Sequence, residues 1–391
     1  MREGPVAAPR GPLAGIRVAD FSRVLAGPYA TMMLADFGAD VIKIESPAGD
    51  DTRAWSPPVD AQGGSTYFAG LNRNKRSVVC DLATEAGLAE AQRLAASADV
   101  VVENFRPGVM AKFGLDFETL RRENPRVVYC SITGFGSGAG ARLAGYDLLV
   151  QAVGGLMSIT GPAEGEPSKV GVALVYVLTG QNAVSGILLA LRTRDETGTA
   201  QLLDVDLLTT LLAALTNQAS STLATGRPPL RHGNAHPSIA PYESFPAADR
   251  ELVIAVGNDR QFRTLARLIG AAELADDPRY LTNQLRVANR AALRETITAC
   301  LAGGPAASWV QALTDAGVPA GVVNTIDEAF AFAEGLGLET VVDVRDALGR
   351  VSRQVANPIH LAGAPVAYRT PAPTLGEHAG ARYEWTALPV E

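Results

Sequence analysis

The sequence predicts an α/β protein whose N-terminal half contains an open parallel β-sheet. Segments of strand length alternate with helical segments in this half, and strands separated by helices pair in parallel through right-handed crossovers. One predicted strand, Asp99–Asn104 (DVVVEN), is apolar almost throughout, as is typical of a strand covered on both faces. Gly and Pro are frequent, with 39 and 24 of the 391 residues, which favours tight connections between elements.

Apolar segments and the breaks between them define the first elements. Ile16–Phe21 is predicted to be a strand, and a helix opens at Gly27-Pro28, where the missing N–H of Pro is tolerated in the first turn. This helix is expected to end near Phe37. After it we expect strands at Asp40–Glu45, Asp99–Asn104 and Val127–Phe135, and helices at Glu85–Ala96 and Phe117–Asn124. Because ligands of such sheets bind outside the carboxyl ends of the strands, the loops after the strands are the candidate sites.

The second half of the chain predicts a smaller unit and a return to the first. Gly, Pro, His and Asn cluster at Ala224–Ala240, which marks a loop and a crossing between domains. A second crossing is predicted near Gly335–Leu338. The remaining predicted elements are a helix at Thr179–Arg194, a strand at Gln201–Val205, a helix through Asn217, a strand at Leu252–Val256 and helices from Arg260 and Arg290. We therefore expect residues 1–223 to form a large domain, 224–335 a small α/β domain, and 336–391 a return to the large one.

Composition argues against several classes of protein. Lys and Arg number 34 against 41 Asp and Glu, and this acidic balance of −7 does not suit nucleic-acid binding. Apolar runs such as Gly186–Leu191 are shorter than the roughly 20 residues that span a bilayer, so no membrane partner is expected. Cys80, Cys130 and Cys300 are scattered, and the histidines show no metal-binding spacing, so neither disulfides nor a metal are expected. With no apolar leader at the N-terminus, a cytoplasmic location is expected.

Two polar loops are candidates for binding a phosphorylated ligand. Asn72–Ser77 (NRNKRS) joins Asn, Lys and Arg in one segment that could hold phosphates by charge and by backbone N–H groups, or could be a solvated turn. Glu103–Gly108 (ENFRPG) follows a buried strand directly and so emerges at the carboxyl end of the sheet. Its amide, aromatic ring and guanidinium suit a nucleotide base and phosphate, although a strand-end turn with one packed Phe is the alternative.

Asp147 lies at a predicted helix start. It follows the Gly-rich loop Gly134–Ala144 and precedes an apolar segment. A carboxylate in this position can cap the helix, which stabilises by about 1 kcal/mol, or can be a site carboxylate.

Taken together, motifs along nearly the whole chain resemble the family III CoA-transferases, the group of formyl-CoA and carnitine CoA-transferases that also includes α-methylacyl-CoA racemase. The matching motifs are Val24–Tyr29 (VLAGPY), Phe37–Glu45 (FGADVIKIE), Leu71–Ser77 (LNRNKRS), Glu103–Gly108 (ENFRPG), Ser131–Gly136 (SITGFG), Gly145–Ala152 (GYDLLVQA), His232–Tyr242 (HGNAHPSIAPY), Gly257–Phe262 (GNDRQF), Gly317–Ala329 (GVPAGVVNTIDEA) and Gly363–His378, which ends in LGEH. Their number and order make the resemblance specific.

The resemblance implies a Rossmann-like large domain, a small domain and an interlocked homodimer. It also implies coenzyme A or acyl-CoA as a substrate, with no permanently bound cofactor, and a small carboxylic acid as the second substrate. By position, the residues that would line the CoA site are Asn72, Asn74, Lys75, Arg76, Asn104, Phe105, Arg106, Lys112 and Tyr146. Ser46 stands where formyl-CoA transferases carry an Arg near the adenine.

The chain departs from the family at the position of the nucleophile. The family uses an aspartate that forms an acyl anhydride and then a CoA thioester, in a pattern like GVxxxDxLTG. Here the segment is Gly171–Gly180 (GVALVYVLTG), and Tyr176 occupies the aspartate position. A phenol has a pKa of about 10 and supplies little phenolate at pH 7. Transfer is therefore expected to be impaired, and Asp147 is the nearest candidate for a substitute nucleophile.

Two other functions remain compatible with these motifs. A non-catalytic acyl-CoA-binding protein would keep the CoA loops and need no nucleophile. A racemase needs two acid–base groups on opposite faces of the substrate, and the family's racemases place His-Asp where Tyr146-Asp147 stand and a second Asp at the position of Tyr176. Both groups are altered here, which disfavours the racemase.

Overall fold

A computed structural model describes residues 11–378 and 384–385. By compactness these residues form two units. The larger unit contains the described residues up to 156 together with 170–224 and those from 337 onward, and the smaller one contains 157–169 and 225–336. The assignment of 157–169 to the smaller unit was not anticipated from the sequence, and the division at 223/224 and 335/336 stays a prediction of domain organisation.

The larger unit is built on a six-stranded parallel sheet. Its strands are β1 (Arg17–Asp20), β2 (Asp40–Glu45), β3 (Lys75–Val79), β4 (Val100–Glu103), β5 (Val128–Thr133) and β6 (Gln201–Asp206). They lie in the order β3-β2-β1-β4-β5-β6, so the order reverses beside β1. This confirms the predicted open α/β sheet. The strand β3 was missed because its first residues, Lys75 and Arg76, are charged.

Nine helices of the described chain belong to this unit or to its boundaries. They are α1 (Ala26–Asp36), α2 (Thr66–Ala69), α3 (Glu85–Ala96), α4 (Phe117–Glu123), α5 (Asp147–Val153), α6 (Leu156–Ile159), α7 (Leu174–Thr197), α8 (Leu207–Ala214) and α9 (Thr216–Thr225). Successive residues of β4 point to opposite faces: Val100 and Val102 pack with α1 and α7, and Val101 packs with α3 and α4. Helices therefore cover both faces of the sheet, as the apolar DVVVEN segment predicts.

The helix α7 is longer than predicted and carries Tyr176 in its first turn. It contains the apolar run Gly186–Leu191, and its whole length and apolar composition would suffice to span a bilayer. In the structure it packs on α1 and the sheet through Ala183, Ile187 and Leu191. Gly180 permits this close approach, because a Cβ there would lie 2.7 Å from the carbonyl oxygen of Ala26. The helix is thus part of the core of the larger unit.

The smaller unit has its own sheet and core. Its elements are β7 (Tyr242–Pro246), β8 (Glu251–Ala255), α10 (Asp259–Leu268), α11 (Asn283–Ala288), α12 (Arg290–Leu301), α13 (Ala306–Asp315), β9 (Ala320–Val322) and α14 (Ile326–Gly335). The sheet is antiparallel, in the order β7-β8-β9. Leu252 and Ile254 of β8 pack against Phe262, Leu293 and Leu313 from the helices.

The chain then returns to the larger unit with an antiparallel pair, β10 (Val341–Arg345) and β11 (Val351–Val355). The following segment is fastened to the sheet region: the backbone N–H of Ala367 donates to the carbonyl of Asp36, and the backbone N–H of Asn74 donates to that of Thr370. The described residues beyond 336 therefore complete the larger unit.

Candidate active site

A cavity of about 640 Å³ lies at the carboxyl end of the parallel sheet. The residues that follow β1, β4 and β5 form most of its wall, and the first turn of α7 contributes one side chain. The lining includes Arg23, Val24, Asp50, Trp55, Asn104, Phe105, Arg106, Gly134, Phe135, Tyr146 and Tyr176. This is the edge at which ligands of open α/β sheets bind. Five of the residues selected from the sequence thus share one cavity: Asn104, Phe105, Arg106, Tyr146 and Tyr176.

Asn104 supports the cavity wall by forming hydrogen bonds to the backbone of Arg23. Its Oδ1 accepts the N–H of Arg23 at 2.8 Å, and its Nδ2 donates to the carbonyl of Arg23 at 2.7 Å. The neighbouring Val24 has φ 69°, a left-handed conformation that is an outlier for a β-branched residue. The buried carboxylate of Asp50 accepts the N–H of Val24 at 3.2 Å and the amino group of Lys43 at 2.9 Å. The amide of Asn104 therefore holds the loop after β1.

Two arginine side chains, those of Arg23 and Arg106, line the cavity and are accessible to solvent. The guanidinium of Arg23 lies 5.0 Å from the centre of the Phe105 ring, and its side chain is 46% exposed. Its Nη1 is 3.6 Å from the exposed carboxylate of Asp51, a contact that solvent weakens. Arg106 is also exposed. Two accessible guanidiniums beside an aromatic ring are suited to a phosphorylated ligand with a planar base.

The polar loop at Asn72–Arg76 leads into the start of β3, and its side chains bind other residues of the larger unit. The amino group of Lys75 is fully buried and binds Asp20 at 3.1 Å, the carbonyl of Pro28 at 2.8 Å and Oδ1 of Asn72 at 2.9 Å. Burial alone would raise the pKa of Asp20, but Lys75 and Lys43 hold that pKa below its usual value. Lys75 is thus the partner of a buried carboxylate and does not line the cavity.

The other residues of this loop are occupied in the same way. Asn74 donates to the carboxylate of Asp36 and to the carbonyl of Ala367, each at 2.8 Å. Arg76 binds Asp40 at 2.7 Å and the carbonyl of Glu384 at 2.9 Å. The charges that suggested phosphate binding serve to join strands, helices and the C-terminal return.

Lys112 is exposed in a 3₁₀ turn, Met110–Phe113, and is not among the residues that line the cavity. Tyr146 is 61% exposed and lies in the cavity wall. It ends a loop whose two ends meet at Gly134 and Gly145, where a Cβ on Gly134 would lie 2.4 Å from the Cα of Gly145. Only glycine fits at both positions. The two ends of the loop therefore lie in contact with each other beside the cavity.

Tyr176 occupies the wall with its side chain engaged. Its hydroxyl donates to the carbonyl of Gly145 at 3.0 Å, which joins the start of α7 to the base of that loop. Burial, with the negative charge of Asp147 nearby, raises the pKa of Tyr176 to about 12. The phenol is therefore neutral near pH 7 and is a hydrogen-bond donor at this point of the cavity.

Asp147 is buried next to the cavity wall, where its carboxylate binds neighbouring residues. Its carboxylate accepts the backbone N–H groups of Val175 at 2.8 Å and Tyr176 at 3.2 Å, and the side-chain amide of Gln151 at 2.6 Å. The residue is 7% exposed and is not among those that line the cavity. Both oxygens are occupied, so the arrangement gives Asp147 the role of a cap on α7 and does not support it as a substitute nucleophile.

A second, smaller cavity of about 240 Å³ shares Arg23, Asp50 and Phe105 with the first. Its wall also includes Ser46 after β2 and the segment after β3, at Cys80, Asp81, Leu82 and Ala83. The segment after β3 is not among the sites predicted from the sequence, because the charged start of β3 hides the strand. The signal that could have located it is the apolar pair Val78-Val79 followed by Cys-Asp. Within residues 11–378 and 384–385, which the structure describes, no group of His, Cys, Asp and Glu is suited to a metal.

Comparison with known proteins agrees with this fold. The model of CoA-transferase family III matches residues 13–379. A succinate–glutarate CoA-transferase of Agrobacterium fabrum is 47% identical over 374 residues, covering 94% of each chain. An acetyl-CoA:oxalate CoA-transferase of Acetobacter aceti is 42% identical over 332 residues, covering 84% of this chain and 85% of that protein. The crystal structure of a CAIB/BAIF family protein from Brucella suis superposes with a TM-score of 0.86 at 43% identity, covering 94% of this chain and 97% of that one.

The chain belongs to CoA-transferase family III. The resemblance drawn from its motifs is confirmed over nearly its whole length, and with it the assignment of the chain as a CoA-transferase.

Proposed function

We propose that the protein moves CoA between an acyl-CoA and a short dicarboxylic acid, and that Tyr176 limits the route through an enzyme-bound acyl and CoA intermediate. The names of the relatives support dicarboxylic substrates, since they specify succinate, glutarate and oxalate. The guanidiniums of Arg23 and Arg106 and the ring of Phe105 offer contacts for the phosphates and base of CoA.

One observation carries the second part of the proposal: the side chain at the nucleophile position is a neutral phenol that donates to Gly145. A carboxylate is ionised at pH 7 and forms an anhydride that CoA thiolate can open. The phenol of Tyr176 would form an ester, which is less reactive than an anhydride. Its ring is also larger than the side chain of Asp and occupies part of the cavity wall.

The test is an assay of CoA exchange between succinyl-CoA and a panel of acids that includes glutarate and oxalate. Mass spectrometry detects the acyl-CoA products. Tyr176→Asp supplies an ionised carboxylate, and Tyr176→Asn is the matched control of equal size without one. We expect Tyr176→Asp to raise the exchange rate by at least about 100-fold and to yield an acyl or CoA adduct on residue 176. The Asn variant should give neither.

Two results would count against the proposal. If the chain with Tyr176 exchanges CoA rapidly and neither variant changes the rate, residue 176 is not at the reacting centre. If acyl-CoA binds but neither the original chain nor Tyr176→Asp exchanges CoA with any acid, the protein is an acyl-CoA-binding homologue without transferase activity.

We also propose that the protein is a homodimer located in the cytoplasm. The helices α5, α7 and α8 pack together in the larger unit and leave large apolar side chains exposed, among them Val153 at 67% and Leu189 at 69%. Exposed apolar area of this kind is typical of a surface that a partner covers. Light scattering that reports a stable folded monomer would contradict the dimer.

A further inference from the structure

A pair of buried side chains holds the segment that carries residue 176. Asp147 directly follows Gly145 and Tyr146, which line the cavity, and its Oδ1 accepts the N–H groups of Val175 and Tyr176. These belong to the first turn of α7, whose own N-cap residue, Ala173, offers no side-chain acceptor. The N–H groups in the first turn of a helix have no hydrogen-bond partner within that helix, and they lie at the positive end of its dipole. The carboxylate of Asp147 accepts hydrogen bonds from two of them.

Gln151, one turn further along α5, holds the other end of the same segment. Its Nε2 donates to Oδ2 of Asp147 at 2.6 Å, and its Oε1 accepts the N–H of Val170 at 2.9 Å. Gln151 is 1% exposed. The two side chains therefore bind the backbone at Val170 and again at Val175 and Tyr176, and they set this backbone relative to the wall residue Tyr146.

We propose that Asp147 and Gln151 form a positioning pair that fixes the backbone of residue 176 within the cavity wall, so that Asp147 acts on the reaction without contacting substrate. The inference rests on the proposed role of position 176 in CoA transfer. Covalent transfer depends on the placement of the nucleophile, and a displacement of 1 Å can lower a rate by about 100-fold.

The hydrogen-bond pattern allows a test with a built-in rescue. In Asp147→Asn, Oδ1 still accepts from Val175 and Tyr176, but the new NH₂ group faces the NH₂ group of Gln151. If the Gln151 amide rotates by about 180°, its NH₂ group instead faces the backbone N–H of Val170, so two donors still face each other. In the double variant Asp147→Asn/Gln151→Glu, the Asn donates to one carboxylate oxygen of Glu, and the other oxygen accepts from Val170. Every contact is then restored, and only the hydrogen bond between the two side chains has its donor and acceptor exchanged.

The experiment uses the full chain with Tyr176→Asp as the active background. We expect Asp147→Asn to lower kcat about 10- to 100-fold while KM for succinyl-CoA changes by less than about threefold. Gln151→Glu alone places two carboxylates face to face and should also lower kcat. The double variant should recover most of the loss. Asp116→Asn is the matched control, since Asp116 caps α4 through the N–H of Thr119 and does not line the cavity, and it should leave kcat unchanged.

A second measurement does not depend on turnover. Hydrogen exchange of the amides at Val170, Val175 and Tyr176 in the chain as it stands should be faster in Asp147→Asn and slow again in the double variant. If Tyr176→Asp has no activity, the proposed function fails, and the exchange data then decide only whether the pair fixes the backbone at residue 176.

Three outcomes would overturn the inference. Unchanged kcat and unchanged exchange in Asp147→Asn would show that the pair fixes nothing. Recovery of exchange protection without recovery of kcat in the double variant would show a structural role only. A covalent adduct on Asp147, together with loss of activity that Gln151→Glu does not rescue, would make Asp147 a nucleophile.

Discussion

The side-chain amide of Asn104 and the backbone of Arg23, 81 residues apart in sequence, form two hydrogen bonds, one in each direction. The pair joins the end of β4 to the loop after β1 and precedes Val24, whose backbone is left-handed. Such a conformation costs on the order of 1–3 kcal/mol and persists only where the surroundings impose it. The amide of Asn104, selected from the sequence as a ligand contact, thus also shapes the wall that it lines.

Asn104→Ala should therefore weaken CoA binding through the loop it releases. We expect a loss of affinity of about tenfold, and a decrease in the free energy of unfolding of about 1–3 kcal/mol for the two lost hydrogen bonds. Asn124→Ala is the control, because Asn124 also binds backbone, at Ala98 and Arg126, and is not among the residues that line either cavity. Calorimetry that finds equal CoA affinity in the two variants would refute this role.

Arg23 and Arg106 should contribute to binding mainly by charge. Replacing both with Ala is expected to weaken CoA binding about tenfold at low ionic strength, and by less at 1 M salt, where the screening length falls to about 3 Å. The matched control is Arg122→Ala on α4, an exposed arginine that does not line the cavities. An effect independent of salt would mean that the two guanidiniums do not contact phosphates.

Lys75→Met should destabilise the fold. The substitution leaves the fully buried carboxylate of Asp20 without the cation that contacts it. Removing one partner of a buried ion pair costs about 3–5 kcal/mol, whereas an exposed substitution such as Lys112→Met should stay within about 0.5 kcal/mol. Urea unfolding of the two variants measures the difference. If Lys75→Met unfolds like the parent but binds CoA more weakly, the lysine contacts ligand after all.

The buried carboxyl of Glu103 predicts a dependence of stability on pH. Desolvation raises its pKa to about 7, from 4.5 for an unperturbed side chain. Between these values the native state holds a proton that the unfolded state has released, so the free energy of unfolding falls as pH rises through this range.

Glu103→Gln should remove that slope and stabilise the protein at pH 8 by up to about 3 kcal/mol relative to the parent. The amide oxygen of Gln can still accept the N–H of Phe105, which Glu103 binds at 2.8 Å. Chemical denaturation between pH 5 and pH 8 is the measurement, with Glu118→Gln at an exposed site of α4 as the control. Parallel pH profiles for Glu103→Gln and the parent would contradict the prediction.

The local pattern of residues along the chain was sufficient to predict the layers of the fold and to identify the family. The alternation of strands and helices and the apolar run at Asp99–Asn104 identify an open parallel sheet, because burial on both faces requires apolar residues at successive positions. The motifs around Glu103–Gly108 and Gly145–Tyr146 lie at the carboxyl edge for the same topological reason. The departure at Tyr176 is likewise visible in the sequence alone.

Tertiary structure decided which polar side chains face the cavity and which face one another. Lys75 and Asn74 have the composition of a phosphate loop, yet each meets a buried carboxylate, from Asp20 and Asp36, that is distant in sequence. Asp147 is a helix-start acid in the sequence, yet it caps α7, a different helix 28 residues away. A hydrogen-bonding group satisfies whichever partner the fold brings within about 3 Å, and residue type and spacing along the chain do not specify that partner.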